Sequence, residues 1–113
     1  MADVVYLDYN DGMKRVGNNV KLYVRLLGKF KNDVKTDELE AALASGNLEA
    51  AQGQAHTLKG VAANLSLTEF HKQSLEIETQ IKAKEVKPDQ LGILKATLAA
   101  TIVEVDKVIA ANG

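Results

Sequence analysis

The chain has 113 residues, of which 46% are hydrophobic and 26% charged, and its formal net charge is −1. These values exclude a disordered or fibrous protein and argue against a general nucleic-acid binder, whose phosphate contacts need a basic excess. The absence of cysteine excludes disulfides, thiolate catalysis and cysteine-based metal sites, and it fits a cytoplasmic protein.

The first half of the chain follows helical periodicity throughout. Residues 1–5 lack the basic and long apolar regions of a signal peptide, so none is expected. A short helix or turn is predicted within 6–16, and an apolar stripe at helical spacing predicts a helix around 22–30. A third helix is predicted over 36–44, with its first residue, a threonine, as N-cap. Residues 45–47 (Ser-Gly-Asn) indicate a helix stop followed by an N-cap.

A fourth helix is predicted over 48–65, followed by a sharp turn into a fifth. Ser66 and Glu69 have the spacing of a capping box, and Leu65 and Phe70 have the spacing of a hydrophobic staple. We therefore expect the fifth helix to begin immediately after Ser66.

The second half of the chain contains two more amphipathic segments. The fifth helix is predicted over 67–84, with Leu67, Phe70, Ile77 and Ile81 on its apolar side. Pro88 suits the first turn of a last helix that runs to about Ala111. No run approaches the roughly 20 apolar residues that span a bilayer. Helices with short connections predict an all-α antiparallel bundle, with a single domain over 1–113.

The fourth segment carries a histidine on its polar side. At about 100° per residue, six apolar side chains of 48–65 fall within a sector of about 80°, and His56 lies about 130° from its centre. Gly53 and Gly60 bracket His56, although two glycines inside a helix cost about 2 kcal/mol. One interpretation is that they leave the imidazole open to a large partner. The alternative is that they are tolerated by chance or admit a neighbouring helix.

The histidine face suits nucleophilic chemistry. Imidazole is largely unprotonated at neutral pH and attacks activated electrophiles. Lys59, one turn away, would stabilise phosphoryl oxygens by its charge. No second nucleophile with a base and an orienting group is evident. The site therefore resembles half of a reaction centre that a partner completes.

The segment His56-Thr57-Leu58-Lys59-Gly60-Val61-Ala62-Ala63-Asn64-Leu65 resembles the central motif of histidine-containing phosphotransfer (HPt) domains of bacterial multistep phosphorelays. Residues 7–18 and 22–30 resemble the first helices of such domains, so the likeness covers nearly the whole chain. One departure is Ser66, where the family often has glycine. The resemblance implies a four-helix bundle core with a short N-terminal helix.

The resemblance also implies functions for individual residues. His56 would accept the phosphoryl group, Lys59 would support it, and Gly60 would give a receiver domain's aspartyl phosphate room to approach. Family members often place glutamine or another polar group near the histidine on the next helix; Glu78 is the candidate here and Gln73 a weaker one. The expected partner-binding residues are Gln52, Gly53, Ala63, Asn64 and Glu78.

The partners implied are receiver domains of a hybrid histidine kinase, a response regulator or both. The protein would be a monomer with no cofactor of its own, no nucleic-acid or membrane contact, and Mg²⁺ bound in the receiver. It would pass the phosphoryl group to a second receiver, without phosphorylating itself from ATP, because the chain has no nucleotide-binding loop.

Several other interpretations of the sequence stay open. The main alternative is a non-catalytic helical docking module. A metal-binding bundle is disfavoured because Glu69-Phe70-His71 lacks the Glu-x-x-His spacing, and His71 is interpreted as a boundary residue. The charged run over 82–87 is interpreted as a solvated helix end and loop.

Overall fold

The computed structural model describes residues 4–112, and within them the regular structure consists of six helices. These are α1 (Tyr9–Arg15), α2 (Val20–Asp33), α3 (Asp37–Ala44), α4 (Leu48–Asn64), α5 (Thr68–Lys82) and α6 (Gln90–Asn112). The predicted all-α class is confirmed. Residues 1–3, on which the expectation of no signal peptide partly rests, lie outside the described residues. No helix within 4–112 has the length and apolar character needed to cross a membrane.

Side-chain caps fix the start of three helices. The side chains of Asp8, Asn19 and Asn47 each accept a hydrogen bond from a backbone N–H in the first turn of α1, α2 and α4 respectively. The predicted N-cap at residue 47 is thus confirmed. Thr36 occupies the N-cap position of α3 as predicted, but its side chain makes no capping hydrogen bond.

Four helices, α2, α4, α5 and α6, supply most of the hydrophobic core. The most extensive contact is between α4 and α5, and α6 packs against both α5 and α2. The rings of Phe30 and Phe70 meet edge to face at the centre, with centroids 5.9 Å apart. Helix α3 packs on α4, and the short α1 packs on α2. The expected four-helix core with a short N-terminal helix is confirmed, and the short connections between packed neighbours make it antiparallel.

The turn between α4 and α5 is sharp, as expected, but the predicted capping box is wrong. Ser66 has a positive φ of 58°, and α5 begins only at Thr68. The N–H of Leu67 donates to the carbonyl of Ala62, and the N–H of Ser66 donates to that of Ala63. This is a Schellman motif, in which the left-handed residue closes the preceding helix. Ser66 therefore ends α4, and a left-handed position explains why glycine suits it.

The Ser66 side chain is tied to α1 instead of to α5. Its Oγ donates to Asp11 Oδ2 at 2.5 Å, and the adjacent Leu65 carbonyl accepts a hydrogen bond from the Tyr23 hydroxyl at 2.8 Å. The backbone N–H of Asp8 donates to the Ser66 carbonyl at 2.9 Å. The turn that follows α4 is thus held by the first two helices.

The predicted place of Pro88 in the last helix is also wrong. Helix α6 begins at Gln90, and the N–H of Gln90 donates to the carbonyl of Lys87 at 3.2 Å. Pro88 therefore occupies the second position of a β-turn, which its fixed φ favours as much as it favours a first helical turn. Along α6, Leu94 and Val105 are buried, and the partly buried side chains of Leu91, Leu98, Ile102 and Ile109 pack against the core.

Candidate functional site

Helix α4 holds His56 outward because its opposite face is anchored in the core. The apolar side chains at positions 51, 55, 58 and 62 are buried, in agreement with the predicted core face. The His56 side chain is 69% exposed. The helix thus presents the imidazole to solvent from a rigid support.

The carboxylate of Glu78 lies directly beneath the imidazole. Glu78 is on α5 between the core residues Ile77 and Ile81, and its side chain is only 2% exposed. Its Oε2 lies 3.1 Å from Nδ1 of His56. An ionised carboxylate only accepts hydrogen bonds, so Nδ1 carries the proton and donates it to Glu78. The lone pair is then on Nε2, the nitrogen on the far side of the ring.

Two lysines compensate the buried charge of Glu78. Lys59 Nζ lies 2.7 Å from Oε1, and Lys82 Nζ lies 3.9 Å from Oε2. Burial alone would raise the pKa of Glu78, but hydrogen bonds from Lys59 and His56 and the charges of the two lysines outweigh it and lower the pKa. The carboxylate is therefore ionised at neutral pH. Glu78 thus lies beneath the imidazole, where it contacts His56, Lys59 and Lys82.

The two glycines beside His56 face open space. A Cβ built at Gly53 or Gly60 would meet no atom within 4 Å outside the local backbone. The alternative that these glycines admit a neighbouring helix is therefore wrong. At Gly12, in contrast, an added Cβ would lie 2.4 Å from the Tyr23 hydroxyl oxygen. The glycines of α4 leave room beside the imidazole that nothing in residues 4–112 fills.

An open depression of about 410 Å³ adjoins the imidazole. Its lining consists of Glu49, Gln52, Gly53, His56, Glu78 and Lys82. Glu49 and Lys82 are not predicted as site residues from the sequence, where Lys82 belongs to the charged run interpreted as a solvated helix end. The spacing of Glu78 and Lys82, four residues apart on one helix, is the signal that would have found the lysine.

The remaining candidates lie away from this depression. Asn64 is exposed and lines a separate groove between α2 and α4, and Ala63 is half-buried. Gln73 accepts a hydrogen bond from Gln90 at 2.9 Å and belongs to an amide network that joins α5 to α6. The structure thus brings Gln52, Gly53 and Glu78 together with His56, and places Gln73 elsewhere.

Metal ligation does not explain the cluster around His56. Within residues 4–112, no group of three or more histidine, aspartate or glutamate side chains has the arrangement to hold a metal ion. The arrangement instead fixes an exposed imidazole against a buried carboxylate that two lysines contact, with open space at the neighbouring glycines.

A comparison with protein families identifies a family that matches most of the chain. The model of the Hpt domain family matches residues 25–105, which run from within α2 to near the end of α6. No curated protein and no solved structure gave a match to the chain.

Proposed function

We propose, from the premise that this chain belongs to the Hpt domain family, that it is a phosphorelay carrier whose acceptor atom is Nε2 of His56. The observation that carries the proposal is the contact between Nδ1 and the buried Glu78 carboxylate at 3.1 Å, in a ring that is otherwise exposed. This contact fixes the tautomer and the orientation of the ring.

The donor would be the aspartyl phosphate of a receiver domain. The lone pair of Nε2 attacks phosphorus, the bond between phosphorus and the aspartate oxygen breaks, and the aspartate leaves as a carboxylate. Nδ1 keeps its proton, so no base is needed. The ring gains a positive charge, which the Glu78 carboxylate stabilises. Attack by the aspartate of a second receiver returns the lone pair to Nε2 and restores the starting state.

The partner would supply what this chain lacks for the reaction. The receiver would bind Mg²⁺, which neutralises charge on the transferring phosphoryl group. It would dock over the exposed surface of α4 beside Gly53 and Gly60, where the open space admits its active site. Such an encounter is transient and belongs with small interfaces.

The test is phosphotransfer from a panel of radiolabelled, phosphorylated receiver domains in the presence of Mg²⁺. Wild type and the control His71→Gln are expected to take up acid-labile, alkali-stable label, and His56→Gln none, with its helical circular dichroism unchanged. Label on His56→Gln would overturn the site assignment. Folded wild type that takes no label from any receiver would favour a non-catalytic docking module. ATP alone is expected to label none of the three proteins.

A further inference from the structure

We propose that Lys82 is the side chain that contacts the phosphoryl group on His56, and that Lys59 holds Glu78 in place. This inference rests on the proposed phosphocarrier function and adds a residue to it. It assigns the two lysines different tasks, although both lie beside the same carboxylate.

Lys82 and the imidazole of His56 lie beside the same carboxylate oxygen. Its Nζ lies 3.9 Å from Glu78 Oε2, the same oxygen that accepts the hydrogen bond from Nδ1 of His56 at 3.1 Å. The Lys82 side chain is 57% exposed and lines the depression beside the imidazole. A long, flexible and exposed side chain can therefore turn from the carboxylate to a phosphoryl group on Nε2 without moving α5.

Lys59 is held more firmly than Lys82. Its Nζ lies 2.7 Å from Oε1 of Glu78, and 23% of its side chain is exposed. Removing this lysine from a buried carboxylate would leave the negative charge poorly compensated, which is unfavourable. The contact of Lys82 at 3.9 Å is loose and solvated, and exposed pairs of this kind contribute little. Lys82 is thus the cation that the site releases more easily.

The phosphorylated state needs such a cation. A phosphoryl group brings a charge between about −1.5 and −2 into a depression that the carboxylates of Glu49 and Glu78 also line. The positive charge that the ring acquires on phosphorylation is already compensated by the Glu78 carboxylate. A free ammonium group at the edge of the depression offsets the remaining repulsion.

Chemical phosphorylation tests this contact without a receiver domain. Phosphoramidate transfers its phosphoryl group to imidazole: the donor's phosphorus–nitrogen bond breaks, a bond from phosphorus to Nε2 forms, and ammonia leaves. Phosphorus NMR then follows the titration of the phosphohistidine in wild type, Lys82→Met, Lys82→Arg and the control Lys72→Met. Lys72 is an exposed lysine of α5, ten residues or about 15 Å along the helix from Lys82.

Loss of the ammonium group should make the phosphoryl group easier to protonate. We expect its pKa to rise by about half a unit in Lys82→Met and to stay unchanged in Lys82→Arg and Lys72→Met. Phosphotransfer from a receiver is expected to slow about two- to fivefold in Lys82→Met alone. The titration and the rate together separate a phosphoryl contact from stabilisation of the helix end.

Each contrary result has a distinct meaning. Identical titrations of wild type and Lys82→Met would overturn the inference, and so would an equal shift in Lys82→Met and in the control Lys72→Met. Wild type that gives no phosphohistidine signal would also overturn it, because the contact requires a reactive Nε2. Chemical phosphorylation with the expected titrations, but no transfer from any receiver, would sink the relay function and leave the contact standing.

Discussion

Two polar clusters of this protein each join side chains from separate segments of the chain, and they are built in opposite ways. The site cluster consists of His56, Lys59, Glu78 and Lys82. The N-terminal cluster consists of Asp11, Tyr23, the Leu65 carbonyl and Ser66. In the site cluster the carboxylate is buried and its imidazole partner is 69% exposed. In the N-terminal cluster the Asp11 carboxylate is 47% exposed, whereas Tyr23 and Ser66 are buried.

This difference in burial matches the functions we assign, with the site cluster as the proposed reactive site and the N-terminal cluster as a structural contact. A buried, charge-compensated carboxylate holds one side of an exposed ring and leaves the other side available for chemistry. An exposed carboxylate closes over buried polar groups, and hydrogen bonds from Ser66 and Arg15 lower the pKa of Asp11. The glycines of the two regions also differ in their surroundings. Gly60 faces open space, and Gly12 lies against the Tyr23 ring. A side chain added at Gly60 should therefore impair phosphotransfer and leave stability intact, whereas one added at Gly12 should reduce stability and leave phosphotransfer intact.

The largest expected effect is that of Gly60→Leu on phosphotransfer. The new side chain fits the fold because nothing lies within 4 Å of the added Cβ, yet it would occupy the space beside the imidazole. We expect transfer from a receiver to fall at least about a hundredfold, with the midpoint of urea unfolding unchanged or higher. Gly60→Ala is the matched control and should slow transfer less. A normal rate for the leucine variant would disprove the steric function of Gly60.

In the N-terminal cluster, Gly12→Ala should lower the free energy of unfolding without changing the rate of phosphotransfer. In Gly12→Ala the added Cβ would overlap the Tyr23 ring, so α1 or the ring must move. We expect a loss of about 2–3 kcal/mol in the free energy of unfolding, measured by urea titration. Gly28→Ala, at an open position inside α2, serves as the control and should raise stability by up to about 1 kcal/mol. Equal stability of the two variants would refute the contrast between packed and open glycines.

Glu78→Ala tests the proposal that Glu78 positions the imidazole of the site cluster. Without the carboxylate the ring loses its fixed tautomer, and we expect transfer to slow about tenfold. Nitrogen NMR of His56 should show a smaller fraction of protonated Nδ1. In Glu78→Gln the amide oxygen still accepts from Nδ1, so most of the rate should return. An unchanged tautomer in the alanine variant would contradict the assigned function.

The smallest effect concerns Tyr23 and depends on pH. Tyr23→Phe removes the hydrogen bond to the Leu65 carbonyl, and we expect a loss of about 1 kcal/mol at pH 7. Burial, with smaller contributions from Asp8 and Asp11, raises the pKa of Tyr23 to about 12. The unfolded chain loses this proton near pH 10, so wild-type stability should fall as the pH rises from about 10 to about 12.

The phenylalanine variant lacks this titration, so the stability difference from wild type should shrink above pH 10. Urea titrations at several alkaline pH values measure it. A difference that stays constant between pH 7 and pH 11.5 would show that Tyr23 titrates normally.

Features that depend on local periodicity could be predicted from the sequence. The core face of α4, the outward direction of His56 and the N-cap at Asn47 all follow from spacing within one or two turns. Features decided by distant partners could not. Ser66 has the local pattern of a capping box, but it pairs with a carboxylate 55 positions away. The resemblance to HPt domains suggested Glu78 as a candidate, but its burial could not be predicted, because the lysines that compensate its charge lie on two different helices.

The Schellman turn after α4 determines whether the residues between His56 and Glu78 bring these two side chains together. His56 and Glu78 are 22 positions apart, and they meet only because residues 65–67 return the chain with one particular alignment of α5 against α4. Displacement by one helical turn would carry Glu78 about 5.4 Å from the ring. An insertion or deletion in this connection would therefore separate Glu78 from the imidazole of His56, and with it the geometry on which the proposed phosphotransfer depends.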